Sequence, residues 1–362
     1  MITNGSVQAP ETAYWGQAAT LAKRGYVVLT WDPQGQGLSD TYGAGADRND
    51  GVPSQEGRPF YDGTEDALDF LFSTPARPFV PRPSCTSGTS HAEKQARRVR
   101  EGRNAPFNPA WRSVDLSRVG IAGHSLGAAA VSYVGQADPR VKAIVAWDNL
   151  RTSAAPGKSC GGRPRPDVPI TKPALGISND YGLFRQPHTS EPDPQARTEV
   201  SRAYSKAGVD SAQLNVRGGT HYEVSYVPNQ YFSASLRGID LTAWYTGAFF
   251  DRYVKGDPGA ERRLLTGRWR ADAAGAAIDP LKDPNVFSGY YRSRIDVGRG
   301  GGTRAVCEDV RAGCASLVAD DGEPAGYGYL REARTQDVSD DRVIAAPVST
   351  PKGGCRSRRV FS

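Results

Sequence analysis

A chain of 362 residues that is 38% hydrophobic and 23% charged has the composition of a folded globular protein with room for a large core. No run of about 18 apolar residues is present, so no transmembrane segment is expected. A net charge of +6, spread over the chain largely as scattered arginine, gives anionic partners little support. The densest basic run, Lys94 to Arg103, has no aromatic residue to stack on a base and reads as a solvated helix face, so nucleic acid is not an expected partner.

Met1-Ile2-Thr3 reads as the end of a buried strand entering an Asn4-Gly5-Ser6 turn. The residues after Met1 have neither the basic region nor the apolar core of a signal peptide, and a domain rarely begins inside a central strand. The expectation is a reading frame that extends upstream and supplies further strands and a secretion signal. The protein is expected to be secreted if it does, and cytoplasmic if it does not. Glu11 to Arg24 is helix-like, and Tyr26 to Trp31 is a buried-type strand that ends in Asp32-Pro33-Gln34-Gly35-Gln36-Gly37-Leu38-Ser39. Tyr61 to Phe72 carries Ala67, Leu68, Leu71 and Phe72 at helical spacing. The Pro- and Arg-rich stretch 75–112 has little periodicity and is expected to form a cap or a surface loop.

Next come an apolar strand, Arg118 to Ala122, the turn Gly123-His124-Ser125-Leu126-Gly127, and an alanine-rich helix to Val134. Further strands are expected at Val141 to Trp147, Ala174 to Ser178 and Gln213 to Val216, with helices over Gln195 to Ala207, Ile239 to Lys255 and Ala260 to Leu265. Strands alternating with helices predict an α/β fold: a mostly parallel central sheet covered on both faces. The main α/β domain is assigned to 1–266. The remainder, 267–362, reads as a small C-terminal extension, β-rich with a disordered end.

The five cysteines, at 85, 160, 307, 314 and 355, form no C-x-x-C pair and have no histidine at zinc-ligand spacing, so no metal is expected. Cys307 with Cys314 and Cys85 with Cys160 are candidate disulfides of an oxidising compartment, leaving Cys355 over.

The chemistry-bearing feature is Ser125. A serine on a sharp strand-to-helix turn is held clear of the backbone beside the positive end of a helix. A second G-x-S-x-G, Gly157 to Gly161, is flanked by Pro and Gly on both sides and reads as a loop. A serine needs a base to take its proton, and the base needs a third group to orient it. Of the four histidines, His221 follows the last sheet strand on the glycine-rich Arg217-Gly218-Gly219-Thr220 loop and is the candidate base. His124 lies inside the turn and is expected to point away from Ser125; His91 and His188 lie in the insertion and in a Pro-flanked loop. Asp180, beyond the strand ending at Ser178, is the favoured acid, with Asp148, at the end of the strand to Trp147, as its rival.

Ser125, Asp180 and His221 in that chain order, the G-H-S-L-G turn, the Asp32 to Ser39 turn and Gly-Gly-Thr-His together resemble the α/β-hydrolase superfamily, in particular its bacterial esterase/lipase and dienelactone-hydrolase-like branches. The resemblance covers about residues 1 to 265. It implies a serine hydrolase that cleaves small-molecule or lipid-like carboxylic esters through an acyl-enzyme, without cofactor, with the backbone N–H groups of Leu126 and Ser6 as the oxyanion hole. The family's turn after its third strand begins His-Gly, and here reads Asn4-Gly5-Ser6. Tyr14, Trp15, Tyr181, Phe184, Tyr222 and Tyr226 are candidates to line an acyl or aromatic pocket, with core or surface packing the favoured role for any one of them. The alternatives are an acyltransferase or peptidase on the same triad, and a non-catalytic binding protein of this fold.

Overall fold

The computed structural model describes residues 1–6, 9–39, 58–82, 91–148, 150–152, 165–180, 198–225, 235–270, 287, 293–323 and 325. The second G-x-S-x-G, the Cys85–Cys160 pair, Cys355, His188, Tyr181, Phe184, Tyr226 and the chain end lie outside the described residues.

In chain order the elements are β1 (Ile2–Thr3), α1 (Trp15–Lys23), β2 (Thr30–Trp31), α2 (Arg58–Leu71), α3 (Ala92–Arg100), β3 (Val119–His124), α4 (Leu126–Ala137) and β4 (Val141–Trp147). Then come β5 (Ala174–Asn179), α5 (Glu199–Lys206), β6 (Ser211–Val216), α6 (Leu236–Phe250), α7 (Ala260–Leu264), β7 (Arg294–Gly298) and β8 (Arg304–Cys307). They build one eight-stranded sheet in the order β2-β1-β3-β4-β5-β6-β7-β8. Every pairing from β2 to β6 is parallel, and the last two pairings are antiparallel.

The side-chain period of two in β4 sorts its residues between two cores. Ala143, Val145 and Trp147 pack with Tyr14, Trp244 and Phe249 on one face. Ile144 and Ala146 pack with Leu68, Val131 and Val134 on the other. With helices on both faces, β4 and β5 are apolar nearly throughout, as a sheet with no wet side requires.

Several boundaries differ from the sequence reading for identifiable reasons. Only Thr30 and Trp31 of the expected strand from Tyr26 are paired, because β1 offers two partners, Ile2 and Thr3. β6 begins two residues early, at Ser211, where it continues to pair with Ala174 and Leu175. The helix expected from Ile239 starts at Leu236, where the Ser235 hydroxyl accepts from the Gly238 N–H at 3.0 Å. It widens into a π turn over Asp251–Lys255 and ends at Gly256, whose φ of 74° is open to glycine.

The described part of the extension does not stand apart from the sheet. β7 pairs with β6, and the buried Arg268 grips both carboxylate oxygens of Asp240 in α6. A Cys307–Cys314 disulfide closes the loop after β8. In the 75–112 insertion, α3 buries none of its residues, in keeping with a solvated basic face. Asn108 anchors the insertion, donating from Nδ2 to the Leu71 carbonyl at 2.8 Å and from its N–H to the Ser73 hydroxyl at 2.9 Å. Among the described residues no helix is long and apolar enough to cross a membrane.

Candidate active site

The five parallel-strand ends that carry candidate residues, those of β1, β3, β4, β5 and β6, lie along one edge of the sheet, the edge at which open α/β sheets hold their ligands. Ser125 links β3 directly to α4 with φ 56° and ψ −119°, a conformation that a residue with a Cβ adopts only under strain. Two contacts explain why glycines flank it. A Cβ on Gly123 would sit 2.4 Å from the Gly127 carbonyl oxygen, and one on Gly127 would sit 2.3 Å from the carbonyl oxygen of Asn4. The elbow therefore closes on itself and on the turn after β1 at distances only glycine permits. Its N–H groups are partly accounted for: Ser125 donates to the Trp147 carbonyl at 3.0 Å. The N–H of Leu126, first residue of α4, has no acceptor within its own helix.

His221 stands beyond β6, and its Nδ1 meets a carboxylate oxygen of Asp148 in a short contact. The Asp148 side chain is 2% exposed and the His221 side chain 14%. Asp148, like Ser125, has a left-handed backbone, with φ 52°. Asp148, the rival acid, makes this contact, and the favoured Asp180 does not. Asp180 accepts from the Gly218 N–H at 3.2 Å, so it acts on the main chain of the loop that leads to His221, while Asp148 reaches the ring. The two aspartates sit beyond adjacent strands, and the left-handed turn taken at Asp148 separates their roles. Among the described residues no hydrogen bond joins the Ser125 hydroxyl to the His221 ring. Catalytic contacts of this kind commonly close only when substrate is bound.

A third carboxylate holds the same loop. Glu223, fully buried, accepts from the Thr220 N–H at 3.3 Å and, through its other oxygen, from the N–H and hydroxyl of Ser235 at 2.7 and 2.6 Å. It thereby ties the residue before His221 to the start of α6.

β1 lies next to β3, so the turn Asn4-Gly5-Ser6 faces the elbow. A Cβ on Gly5 would come within 3.3 Å of the Ser125 Cβ. The Gly5 N–H is already engaged, donating to the Tyr14 hydroxyl oxygen at 3.0 Å. Ser6, next in the chain, is buried. Asn4 holds the turn from behind: its Nδ2 donates to the Ala9 carbonyl at 2.6 Å and to Asp32 at 2.9 Å.

Tyr14 and His124 complete the centre. Tyr14 Oη lies 2.6 Å from His124 Nδ1, and His124 Nε2 lies 2.6 Å from the main-chain carbonyl of His221. Burial first, and the neighbouring His221 ring second, hold His124 protonation well below the usual histidine range. Burial raises the Tyr14 hydroxyl above its ordinary range, so it stays a phenol. Of the other pocket candidates, Tyr222 packs edge-on to the His221 ring with centroids 5.4 Å apart, whereas Trp15 is 55% exposed and bonds outward to Glu11. His91 precedes α3.

From the sequence, Ser125, His221, Asp148, Leu126 and Ser6 are placed at this edge and Tyr14 enters only as a pocket-lining aromatic; its bonds to Gly5 and His124, the part played by His124 and the whole of Glu223 are not foreseen. No protein-family model matches the chain, and no curated protein matches it.

Proposed function

We propose that this chain is a serine hydrolase of the α/β-hydrolase fold that cleaves carboxylic esters through an acyl-enzyme intermediate. The observation that carries the reading is the pairing of a strained serine, Ser125 at φ 56°, with an Asp148–His221 couple, its carboxylate buried and its ring partly exposed, at the same sheet edge. The chain order serine, aspartate, histidine is the order of that fold.

In the proposed reaction the Ser125 oxygen attacks the ester carbonyl as His221 Nε2 takes its proton. Asp148 holds Nδ1–H, fixing the tautomer and offsetting the positive charge that develops on the ring. The tetrahedral oxyanion is met by the Leu126 and Ser6 N–H groups, each such donor lowering the barrier by about 3 kcal/mol. His221 then returns the proton to the departing alkoxide. A water, deprotonated by the same ring, attacks the acyl-serine, and the ring passes that proton to the Ser125 oxygen as the acyl–oxygen bond breaks and the acid is released. The Cys307–Cys314 disulfide supports an oxidising compartment.

A fluorophosphonate probe tests the reading, since it reacts with a serine only where a base and an oxyanion site activate it. Wild-type protein is expected to label, Ser159→Ala to label equally and Ser125→Ala not at all. An unlabelled wild-type chain would remove the enzyme from consideration.

A further inference from the structure

Three backbone segments must be held together for the proposed chemistry: the turn after β1, the elbow after β3 and the His221 loop after β6. Two buried side chains, Tyr14 at 1% exposure and His124 at 1%, touch all three.

The direction of each hydrogen bond in the chain follows from what its ends can do. The Gly5 N–H can only donate, so the Tyr14 oxygen accepts there at 3.0 Å, leaving the hydroxyl hydrogen for His124 Nδ1 at 2.6 Å. The His221 carbonyl can only accept, so His124 Nε2 carries a hydrogen and donates to it at 2.6 Å. With Nε2 protonated, Nδ1 is either bare, accepting from Tyr14, or protonated in an imidazolium. A fully buried ring with a second imidazole at a centroid distance of 4.6 Å is a poor place for that cation. The arrangement that satisfies every atom is a neutral His124 with its hydrogen on Nε2, in a one-directional chain from Gly5 N–H through Tyr14 O–H and His124 N–H to the His221 carbonyl.

From this we infer that Tyr14 and His124 are positioning residues, a hydrogen-bonded brace that fixes the oxyanion turn and the main chain of His221 relative to Ser125. The inference rests on the serine-hydrolase reading. Asp148 sets the orientation of the His221 ring, and the brace sets where that ring is anchored. The chain ends on the main-chain carbonyl of His221 and includes no atom of its ring, so it moves no proton in the reaction; neither brace residue is assigned contact with substrate. The brace also accounts for Gly5. A Cβ there would lie 2.9 Å from His124 Nδ1 and 3.1 Å from Tyr14 Oη, wedging the chain open at its middle link. Tyr14 is itself seated by near-parallel stacking on Trp147, the residue before Asp148, with planes 8° apart and centroids at 6.3 Å.

The test joins a spectroscopic and a kinetic readout on the full chain. With only four histidines, nitrogen-15 histidine labelling reports each ring's tautomer. His124 is expected to be neutral, with its hydrogen on Nε2, from about pH 5.5 to 8, a range in which an ordinary histidine titrates. Tyr14→Phe removes one oxygen without changing the ring. It is expected to slow fluorophosphonate labelling of Ser125 roughly tenfold to hundredfold, the size of effect that small misplacements produce. On p-nitrophenyl butyrate the loss should fall on kcat, with KM nearly unchanged. The rates are compared well below the melting temperature of both proteins, and a merely structural tyrosine would leave them alike. Labelling of Tyr14→Phe at the wild-type rate would overturn the positioning role while leaving the hydrolase reading intact. A His124 that titrates, or that carries its hydrogen on Nδ1, would overturn the brace without any variant having to fold. A wild-type chain that does not label ends the hydrolase reading and this role together.

Discussion

The ends of β3 and β4 stand beside the end of β5 on one edge of the sheet, and the two regions are built on different terms. At the first, Ser125 and Asp148 both have left-handed backbones, and they share that feature with only Trp269 among the described non-glycine residues. The Asp148 carboxylate there meets an ionisable ring. At the second, Asp180 leaves its strand in an ordinary conformation, and its carboxylate meets a main-chain N–H. Both aspartates are buried, at 2% and 3% exposure, so burial does not distinguish them. Backbone strain and the kind of partner do, and strain held against its cost of about 1–3 kcal/mol per residue is a sign of function.

Treating the two carboxylates alike puts this contrast under the greatest pressure. Asp148→Asn removes the charge that would offset a protonated His221 and gives the ring a partner that also presents N–H donors, so the wrong tautomer is stabilised. Turnover of an ester substrate is expected to fall about 10,000-fold. Asp180→Asn keeps an oxygen able to accept from Gly218, and its cost should stay within about tenfold, because it acts on the His221 loop at one remove. Parallel kinetics on the two variants decide the matter. Equal losses would mean that the two strand ends work as one unit.

How much of this was legible depends on the range of each interaction. The elbow is local: strand, glycines, serine and helix fall within residues 119–137, and the two glycines are demanded by contacts with the elbow itself and the β1 turn. His221 was legible from the glycine-rich loop after the last parallel strand. The choice between Asp148 and Asp180 was not, since two neighbouring strands end in the same residue type and the deciding backbone angle leaves no mark in composition. Tyr14 was legible only as an aromatic near the site; its bonding was not, because its partners Gly5 and His124 are 9 and 110 positions away. The extension likewise reads as β-rich, but the docking of the β7–β8 hairpin on β6 was not legible. Its strands alternate weakly, and their attachment to β6 joins residues about 80 positions apart, which short polar strands do not announce.

The strained region also holds an imidazole without charge, which gives it a pH signature. Folding depresses the His124 pKa below its unfolded value of about 6.5. Below that pH the unfolded chain takes up a proton that the folded chain refuses. This contribution to stability is therefore fully present above about pH 6.5 and is lost as the pH falls, by at most about 1.4 kcal/mol per pH unit. Urea unfolding of the wild type and of His124→Asn between about pH 5 and 7.5 measures it, because the variant lacks the group and should show a flatter dependence. Identical slopes would mean that the ring is protonated in the folded protein, and the chain of bonds through Tyr14 could not then run as assigned.

The smallest effect addresses strain most directly. At φ 56° and ψ −119°, Ser125 occupies a conformation that costs a Cβ-bearing residue but not glycine. Ser125→Gly should abolish labelling and yet raise the unfolding free energy by about 1 kcal/mol, the relief of strain outweighing the extra freedom of the unfolded chain. Ser125→Ala separates the causes. It loses the same hydroxyl and keeps the Cβ, so it should lose labelling without the gain. Asp180→Gly, made where the backbone is already relaxed and a hydrogen bond to Gly218 would be lost, should destabilise. A glycine that stabilises at the end of β3 and weakens the end of β5 is the outcome expected of a rim that stores strain only where chemistry uses it. Stabilisation at neither position would mean that the left-handed serine is comfortable, and its geometry would cease to argue for a nucleophile.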